Sequence, residues 1–379
     1  MAHLPQWVCR GPTKAEVNLA NFRENVKTFR RIADDAGTLL MAVIKTNAYG
    51  HGLVPIAHAA IKAGADRLGV TTMEEGVLLR ENDIDAPIHL LSPIIPEQAE
   101  DTVTYDLTAS VSSCEQAKAI HTAAISQQKI VPVHLKVDTG LHRFGIAPEY
   151  ALDFCRWCYH LSGLYWEGIY THFSTANNKY RKTTEAQFTL LMDTITGLND
   201  YGYHFPIRHA GASTIALRRP DMHLDMIRPG IALFGYTPDI QHQALTSIRP
   251  VMSLKSRILQ VRSLPPGTPV GYGGSYITTE RETLAVVPVG HGHGYKRALS
   301  NNGEVLIRGM RAAIVGEISL DQLIVRITHI NGVSEGDEVV LIGEQGADEI
   351  FAREIAEHAQ TIVDDVLSSL MERVYRVYK

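Results

Sequence analysis

Across the first 235 residues, short apolar runs alternate with stretches whose apolar positions recur every three or four residues. The runs are TLLMAVIK (38–45), RLGVTT (67–72), IHLLSP (88–93), LTASVSS (107–113), PVHLKVDTG (132–140), WEGIYTHFS (166–174), FPIRHAGAS (205–213) and MIRPGIALFG (226–235). Helices fit between them. NLANFRENVKTFRRIADDAG carries Phe22, Val26, Phe29 and Ile32 at helical spacing, with Asn21 as the expected N-cap and Gly37 as the stop. Eight near-continuous apolar runs separated by helices predict a parallel sheet closed as a (β/α)8 TIM-like barrel. An open doubly wound sheet is the competing arrangement, but no G-x-G-x-x-G follows the first strand.

From about Thr246 the texture changes. MSLKSRILQV, TLAVVPVG, GEVLIRGMRAAIVG, QLIVRIT and DEVVLIG read as strands joined by Pro/Gly turns, with no helix of useful length before DEIFAREIAEHAQTIVDDVLSSL. This predicts a mostly β C-terminal domain. The expected division is a barrel domain over 12–241 and a β-rich domain over 242–379, with residues 1–11 packing on the latter.

Composition narrows the class. A chain of 379 residues with 45% hydrophobic and 20% charged residues buries a sizeable core. Its formal net charge of −5 offers no basic stripe for a phosphate backbone, so a small molecule and not nucleic acid is the expected partner. No apolar run reaches the roughly 18 residues of a spanning helix, and MAHLPQWVCRGPTKAE has no signal-peptide core. A cytoplasmic protein with no membrane contact is expected. Cys155 and Cys158 have the C-x-x-C spacing of redox motifs, yet they lie in a helical apolar pattern with Ala151, Phe154 and Leu161, which favours core packing. His291 and His293 in GHGHGY lack the further ligands a metal needs, so no metal is expected there.

The first strand ends on Lys45. The C-terminal strand ends and the loops after them form the active face of such a barrel. An amine at the rim of an apolar core is more easily neutral, and a neutral lysine forms a Schiff base with a carbonyl. A lysine with its stem on the core and its head in water is the competing reading, and position alone leaves the two even.

The residues around it carry more information. AVIKTNAYGHG closely resembles the cofactor-lysine segment of the alanine racemases, pyridoxal 5'-phosphate enzymes of the type III fold. The resemblance extends over nearly the whole chain through PTKAEVNLANFREN, VHLKVDTGLHRFG, EGIYTHFS, IRPGIALFG, VGYGGSY, VPVGHGHGYKR and IVGEISLDQ. It implies an amino-acid racemase that interconverts L- and D-alanine by two-base proton transfer at Cα. Lys45 then resembles the Schiff-base lysine and one base, and Tyr272 the second base, donated across a homodimer interface. Arg228 resembles the arginine at the cofactor's ring nitrogen, where a guanidinium keeps the pyridine unprotonated. His172 matches the histidine beside the ring, expected to link Arg228 and the tyrosine by hydrogen bonds. Tyr49, Ser213 and the amides of Gly230 and Ile231 are the implied phosphate donors. Arg143 and the backbone near Leu320 and Asp321 are implied for the substrate carboxylate. Lys136 aligns with a lysine often carbamylated in relatives.

Three departures fall at the substrate entrance. The family's G-Y-A-D-G is here Gly290-His291-Gly292-His293-Gly294, its C-terminal T-I-N-Y-E tyrosine is Asp364, and its N-S after the seventh strand is Ala212-Ser213. Two ring walls and phosphate donors are lost, while Lys45, Tyr272, His172 and Arg228 stand. Serine, or a broader set that includes lysine and arginine, is therefore an alternative substrate. A type III decarboxylase is disfavoured by the missing C-E-S-G-D loop. A non-catalytic cofactor carrier has no use for Tyr272 or a β domain.

Overall fold

The computed structural model describes residues 11–176, 180–237 and 247–379. The expected domain boundary at 241/242 and residues 1–10 lie outside the described residues. The chain forms two compact units. One holds Ala20–Ala48 and Gly52–Pro250; the other holds the N-terminal segment through Leu19, the short piece Tyr49–His51, and Val251–Lys379.

A first strand, β1 (Lys14–Val17), belongs to the second of these units. The barrel strands of the other follow in order: β2 (Leu39–Val43), β3 (Arg67–Val70), β4 (Ile88–Pro93), β5 (Thr108–Val111), β6 (Val131–Lys136), β7 (Leu164–Tyr170), β8 (Ile207–His209) and β9 (Met226–Ile227). Each of the eight falls on one of the apolar runs, with β6 starting one residue and β7 two residues ahead of its run. They pair in parallel in the sequence of the chain, with β9 returning to β2 through Leu39–Met226 and Leu40–Ile227. Between β8 and β9 the ring closes by backbone bonds at their borders: Asp225 N donates to Arg208 O (2.9 Å) and Arg228 N to Gly211 O (2.8 Å). Burial on both faces explains the unbroken apolar runs, since all of Thr108–Val111 and nearly all of β2 are buried.

The first helix, Leu19–Ala36, buries Phe22, Val26, Phe29 and Ala33. It begins two residues before the expected cap, so Asn21 sits inside its first turn and its amide donates to Pro250 O (2.9 Å). Gly37, at φ 65°, ends it as expected. Cys155 and Cys158 are buried in the helix Ala151–Cys158, and burial pushes both thiols up to about 12, which leaves them inert as nucleophiles.

In the other unit β1 is a central strand. It pairs antiparallel with β10 (Met252–Arg257) and parallel with Tyr375–Tyr378, in a sheet that continues through Glu338–Gln345, Glu304–Ile307 and Met310–Ala313. A three-stranded antiparallel sheet forms from Gln260–Leu264, Glu282–Val287 and Leu323–Arg326. The expected long helix over 348–370 is instead the strand Asp348–Ile350 and two helices, Ala352–His358 and Val363–Ser368. Gln360, left-handed at φ 53°, ends the first, and the β-branched Thr361-Ile362-Val363 that follow resist its continuation.

Candidate active site

Lys45 follows β2 after one intervening residue and starts a turn of the wrong hand. Thr46, Asn47, Ala48 and Tyr49 have φ of 58°, 51°, 54° and 50°. L-residues disfavour this conformation by about 1–2 kcal/mol each, so four in succession need support from outside the turn. That support is visible. The Glu75 carboxylate accepts from Asn47 N (2.9 Å) and from Thr71 N beyond β3 (3.2 Å). Asn47 Oδ1 accepts from Leu53 N (2.8 Å), Asn47 O from Gly52 N (3.0 Å) and Ile44 O from Ala48 N (2.9 Å). Val43 N and Ile44 N donate to Pro229 O (3.0 Å) and Gly69 O (2.9 Å), which clamps the strand end on both sides. Gly50, at φ 80°, admits no other residue, because a Cβ there would meet the carbonyl oxygen of Leu367.

Around Lys45 the barrel unit collects positive charge. Lys136 ends β6, Arg143 lies in the loop after it, and Arg228 follows β9. His172, two residues past β7, feels all of them: burial, then Arg228, Lys136, Arg143 and Lys45 in turn, hold its imidazole well below the usual histidine value. Burial, Arg228 and Arg143 likewise lower the Lys136 amine, and Asp138 opposes them only weakly. The Lys136 ammonium lies 4.6 Å from the centroid of the Tyr170 ring. Asp138 is spent on the loop that carries Arg143, since its Oδ1 accepts from Gly140 N (3.0 Å), Leu141 N (3.1 Å) and His142 N (3.0 Å). Among the described residues none of these four cations makes an ion pair with a carboxylate. Buried or clustered cations without counterions are costly unless an anion joins them.

Arg228 is held firmly. Its Nη1 donates to His209 Nδ1 (2.6 Å) and its Nη2 to Thr171 O (2.9 Å) and Ala210 O (3.2 Å). Three of the five N–H groups of a guanidinium are thus used, and two have no acceptor among the described residues. Burial brings its guanidinium down to about 10. His172 approaches Arg228 electrostatically, but the imidazole bonded to Arg228 is His209, not His172 as expected. The buried side chain of Ser213 accepts from Gly230 N (3.0 Å) and Ala232 N (3.4 Å), so its own hydrogen stays available to an anion.

The remaining expected residues lie in the other unit. Tyr49 is buried, and burial together with the nearby charge of Asp364 pushes its phenol well above the usual value. Tyr272 opens the short turn Tyr272–Gly274 and is 75% exposed. The His291 loop is zipped to the Ser319–Gln322 loop: His291 N donates to Ser319 O (3.0 Å) and Gly292 N to Leu320 O (2.8 Å). Leu320 is exposed, and Asp321 pairs with Arg373 (2.9 Å). His291 and His293 have separate fates. His291 faces solvent, whereas His293 is buried with its Nδ1 accepting from Gly290 N (3.2 Å).

His89, His134 and His209 bring ring nitrogens within 4.8 Å of one another, a spacing open to a metal ion. Chemistry disfavours one: His134 and His209 spend both nitrogens on hydrogen bonds, and the cation Arg228 adjoins them. Glu75, His134, Glu167 and His209 were not singled out from sequence, although His209 at a strand end carried the same positional signal as His172.

Two family models cover the chain, "Alanine racemase, N-terminal domain" over residues 17–238 and "Alanine racemase, C-terminal domain" over 251–378. The chain is 38% identical to the alanine racemase of Halothermothrix orenii, covering 97% of each, and 39% identical to that of Desulfovibrio desulfuricans, covering 97% of this chain and 98% of the relative. Among solved structures, an alanine racemase of Clostridium difficile 630 superposes with a TM-score of 0.92 at 35% identity, covering 98% of this chain and 97% of that one. An alanine racemase from Bacillus anthracis with bound L-Ala-P reaches 0.91 at 29% identity, covering 98% and 96%.

Proposed function

The chain belongs to the alanine racemase family, and on that premise we propose that it interconverts L- and D-alanine with pyridoxal 5'-phosphate held at Lys45. The observation that carries this reading is the pairing of a supported left-handed turn at Lys45 with a cluster of cations that have no carboxylate partner among the described residues. Such a cluster fits a phosphorylated cofactor and a substrate carboxylate. The two free N–H groups of Arg228 fit an unprotonated ring nitrogen, and the Ser213 hydroxyl, with the amides of Gly230 and Ile231 and the Tyr49 phenol, fits the phosphate. When bound, the cofactor supplies an electron sink at Cα.

Lys45 takes or returns the Cα proton on one face. Tyr272, contributed by a second copy of the chain, serves the other, and a homodimer follows from that requirement. Arg143 and the backbone at Leu320 and Asp321 hold the substrate carboxylate, and Arg228 limits ring protonation so that side reactions are suppressed. Lys136, buried among cations with a lowered amine pKa, is suited to carbamylation, which would give Arg143 an anionic neighbour. The division into a cofactor domain over 12–241 and a β-rich domain over 242–379, and a cytoplasmic location, belong to the same proposal. Among the described residues no helix is long and apolar enough to cross a membrane.

A second reading, with serine or longer side chains as substrates, is favoured by one observation. Asp364 stands close enough to Tyr49 to raise its phenol, so an anion occupies ground where the family has a tyrosine. Chiral chromatography after incubation of the cofactor-loaded protein with L-alanine, L-serine, L-lysine and L-arginine separates the readings. D-alanine as the main product supports the first. Failure to form any D-amino acid with cofactor bound would sink both.

A further inference from the structure

Five charged or polar residues, four from strands β3, β6, β7 and β8 and one just after β9, cross the barrel interior in one chain of hydrogen bonds, where apolar side chains ordinarily fill the space. Arg228 Nη1 lies 2.6 Å from His209 Nδ1, His209 Nε2 lies 2.7 Å from His134 Nδ1, and His134 Nε2 lies 2.9 Å from Glu167 Oε2. Arg67 closes the far end with Nη1 and Nη2 each 2.6 Å from a Glu167 oxygen.

The ends determine the direction of every bond between them. A guanidinium only donates, so His209 Nδ1 must accept, its hydrogen is on Nε2, and His134 Nδ1 accepts in turn. His134 then carries its hydrogen on Nε2 and gives it to a carboxylate, which only accepts. Read from Glu167 the same assignment results. Reversing any one bond leaves two donors facing each other within about 3 Å between fully buried imidazoles, a loss comparable to an unsatisfied buried group.

Two backbone features build this arrangement. The pairing of β6 with β7 slips between Val133–Trp166 and His134–Gly168, so Glu167 is the extra residue of a bulge, a device that re-aims a side chain. Gly168 beside it has no side chain, and a Cβ there would collide with the His134 ring. A second chain runs alongside. Tyr170 donates to Leu91 O (3.0 Å) and so accepts from Ser110 (2.6 Å), which accepts from His89 Nε2 (3.0 Å). The Tyr170 ring stacks on His209 at 4.5 Å and 2°, which restrains the imidazole's plane.

We propose that Glu167, anchored by Arg67, is a positioning residue whose acceptor oxygen holds the His134 ring in the one orientation that accepts from His209, and thereby keeps His209 Nδ1 turned as an acceptor toward Arg228. The consequence for racemisation rests on reading Arg228 as the partner of the cofactor's ring nitrogen. The tautomers do not, so they are measured on the full-length protein without cofactor, labelled with ¹⁵N-histidine, by long-range ¹H–¹⁵N correlation.

Both imidazoles are expected in the neutral Nε2–H form. Glu167→Gln can still offer an oxygen to His134 and keeps both in that form. Arg67→Met with Glu167→Leu replaces the buried pair by apolar residues, a change folds tolerate, and removes the acceptor. That double variant leaves the His134 Nε2–H without an acceptor, so its ¹H–¹⁵N cross-peaks are expected to shift and broaden as the ring loses its single orientation; once loaded with pyridoxal phosphate, it is expected to lower kcat on the order of 10-fold or more with KM for alanine little changed, as loss of an orienting partner does. An Nδ1–H or charged His209 in the wild-type protein overturns the proposal. So does a folded double variant with unchanged His134 cross-peaks, or a Glu167→Gln protein that behaves like the double variant. If the cross-peaks respond as expected while no variant racemises, the relay stands and the reading of Arg228 falls.

Discussion

The rim and the interior of the barrel handle charge in opposite ways. At the rim Lys45, Lys136, Arg143 and Arg228 gather around His172 without a carboxylate partner among the described residues. One layer deeper, Arg67 and Glu167 pair through two bonds of 2.6 Å, and every polar nitrogen from there to Arg228 has its place in a directed chain. Satisfied polarity in the interior orients; unsatisfied charge at the rim waits for a guest. Arg228 belongs to both, fixed from below and with two donors left for what binds above.

Changes at the rim are expected to remove chemistry and leave the fold, and Lys45→Ala is the extreme case. Racemisation falls to background and the visible absorbance of the bound cofactor disappears, while thermal unfolding stays close to wild type. Absorbance retained in that variant breaks the comparison at its strongest point. Tyr272→Phe, in the other unit, keeps the ring and removes the ionisable oxygen. It should slow solvent exchange of the Cα proton from one enantiomer on the order of 10²–10⁴-fold with cofactor still bound, as loss of a general base does. Equal, undiminished exchange from both enantiomers contradicts the two-base assignment.

Restoring tyrosine at both His291 and Asp364 tests the entrance. The alanine-to-serine ratio of kcat/KM is expected to rise about 10- to 200-fold, the range that pocket size commands; an unchanged ratio in a folded, loaded variant places specificity elsewhere. Glu75→Gln keeps only one acceptor oxygen for two amides, one of them on the exposed Asn47, so a loss of about 1 kcal/mol is expected in denaturant unfolding.

In the interior the pH dependence of stability is confined to acid. Burial pushes the Glu167 carboxyl up, but its bonds to His134 and Arg67 outweigh that and bring it from 4.5 to about 2. The folded form therefore binds fewer protons than the unfolded chain in that interval, and stability rises with pH across it. The stabilisation is complete above 4.5 and is lost as pH falls through about 2. Thermal scans of the wild type and Glu167→Gln should converge over that range; a constant gap contradicts the cause.

The barrel was legible because eight strands buried on both faces write eight continuous apolar runs, and Lys45 because it ends the first of them. The left-handed turn was not, since Thr46, Ala48 and Tyr49 are residues that ordinarily avoid that conformation and Glu75, which helps hold it, is distant in sequence. The relay was hidden for a similar reason. His134 and Glu167 occupy strand positions that periodicity assigns to packing, and only the bulge at Glu167 brings them together. The long C-terminal helix failed because its helical pattern continues through Thr361, whose β-branched neighbours and the left-handed Gln360 divide it.

The proposed function has the rim's cations, which lack a carboxylate partner among the described residues, serve a cofactor joined to Lys45; Lys136 is the rival amine, buried and held below the usual lysine range. The most direct test is reduction of the pyridoxal-phosphate-loaded protein with borohydride, which fixes the cofactor on the lysine it has joined, followed by peptide mass mapping. The account predicts one modified peptide, bearing the cofactor on Lys45. Modification of Lys136 or of scattered surface lysines, with Lys45 unmodified, contradicts it.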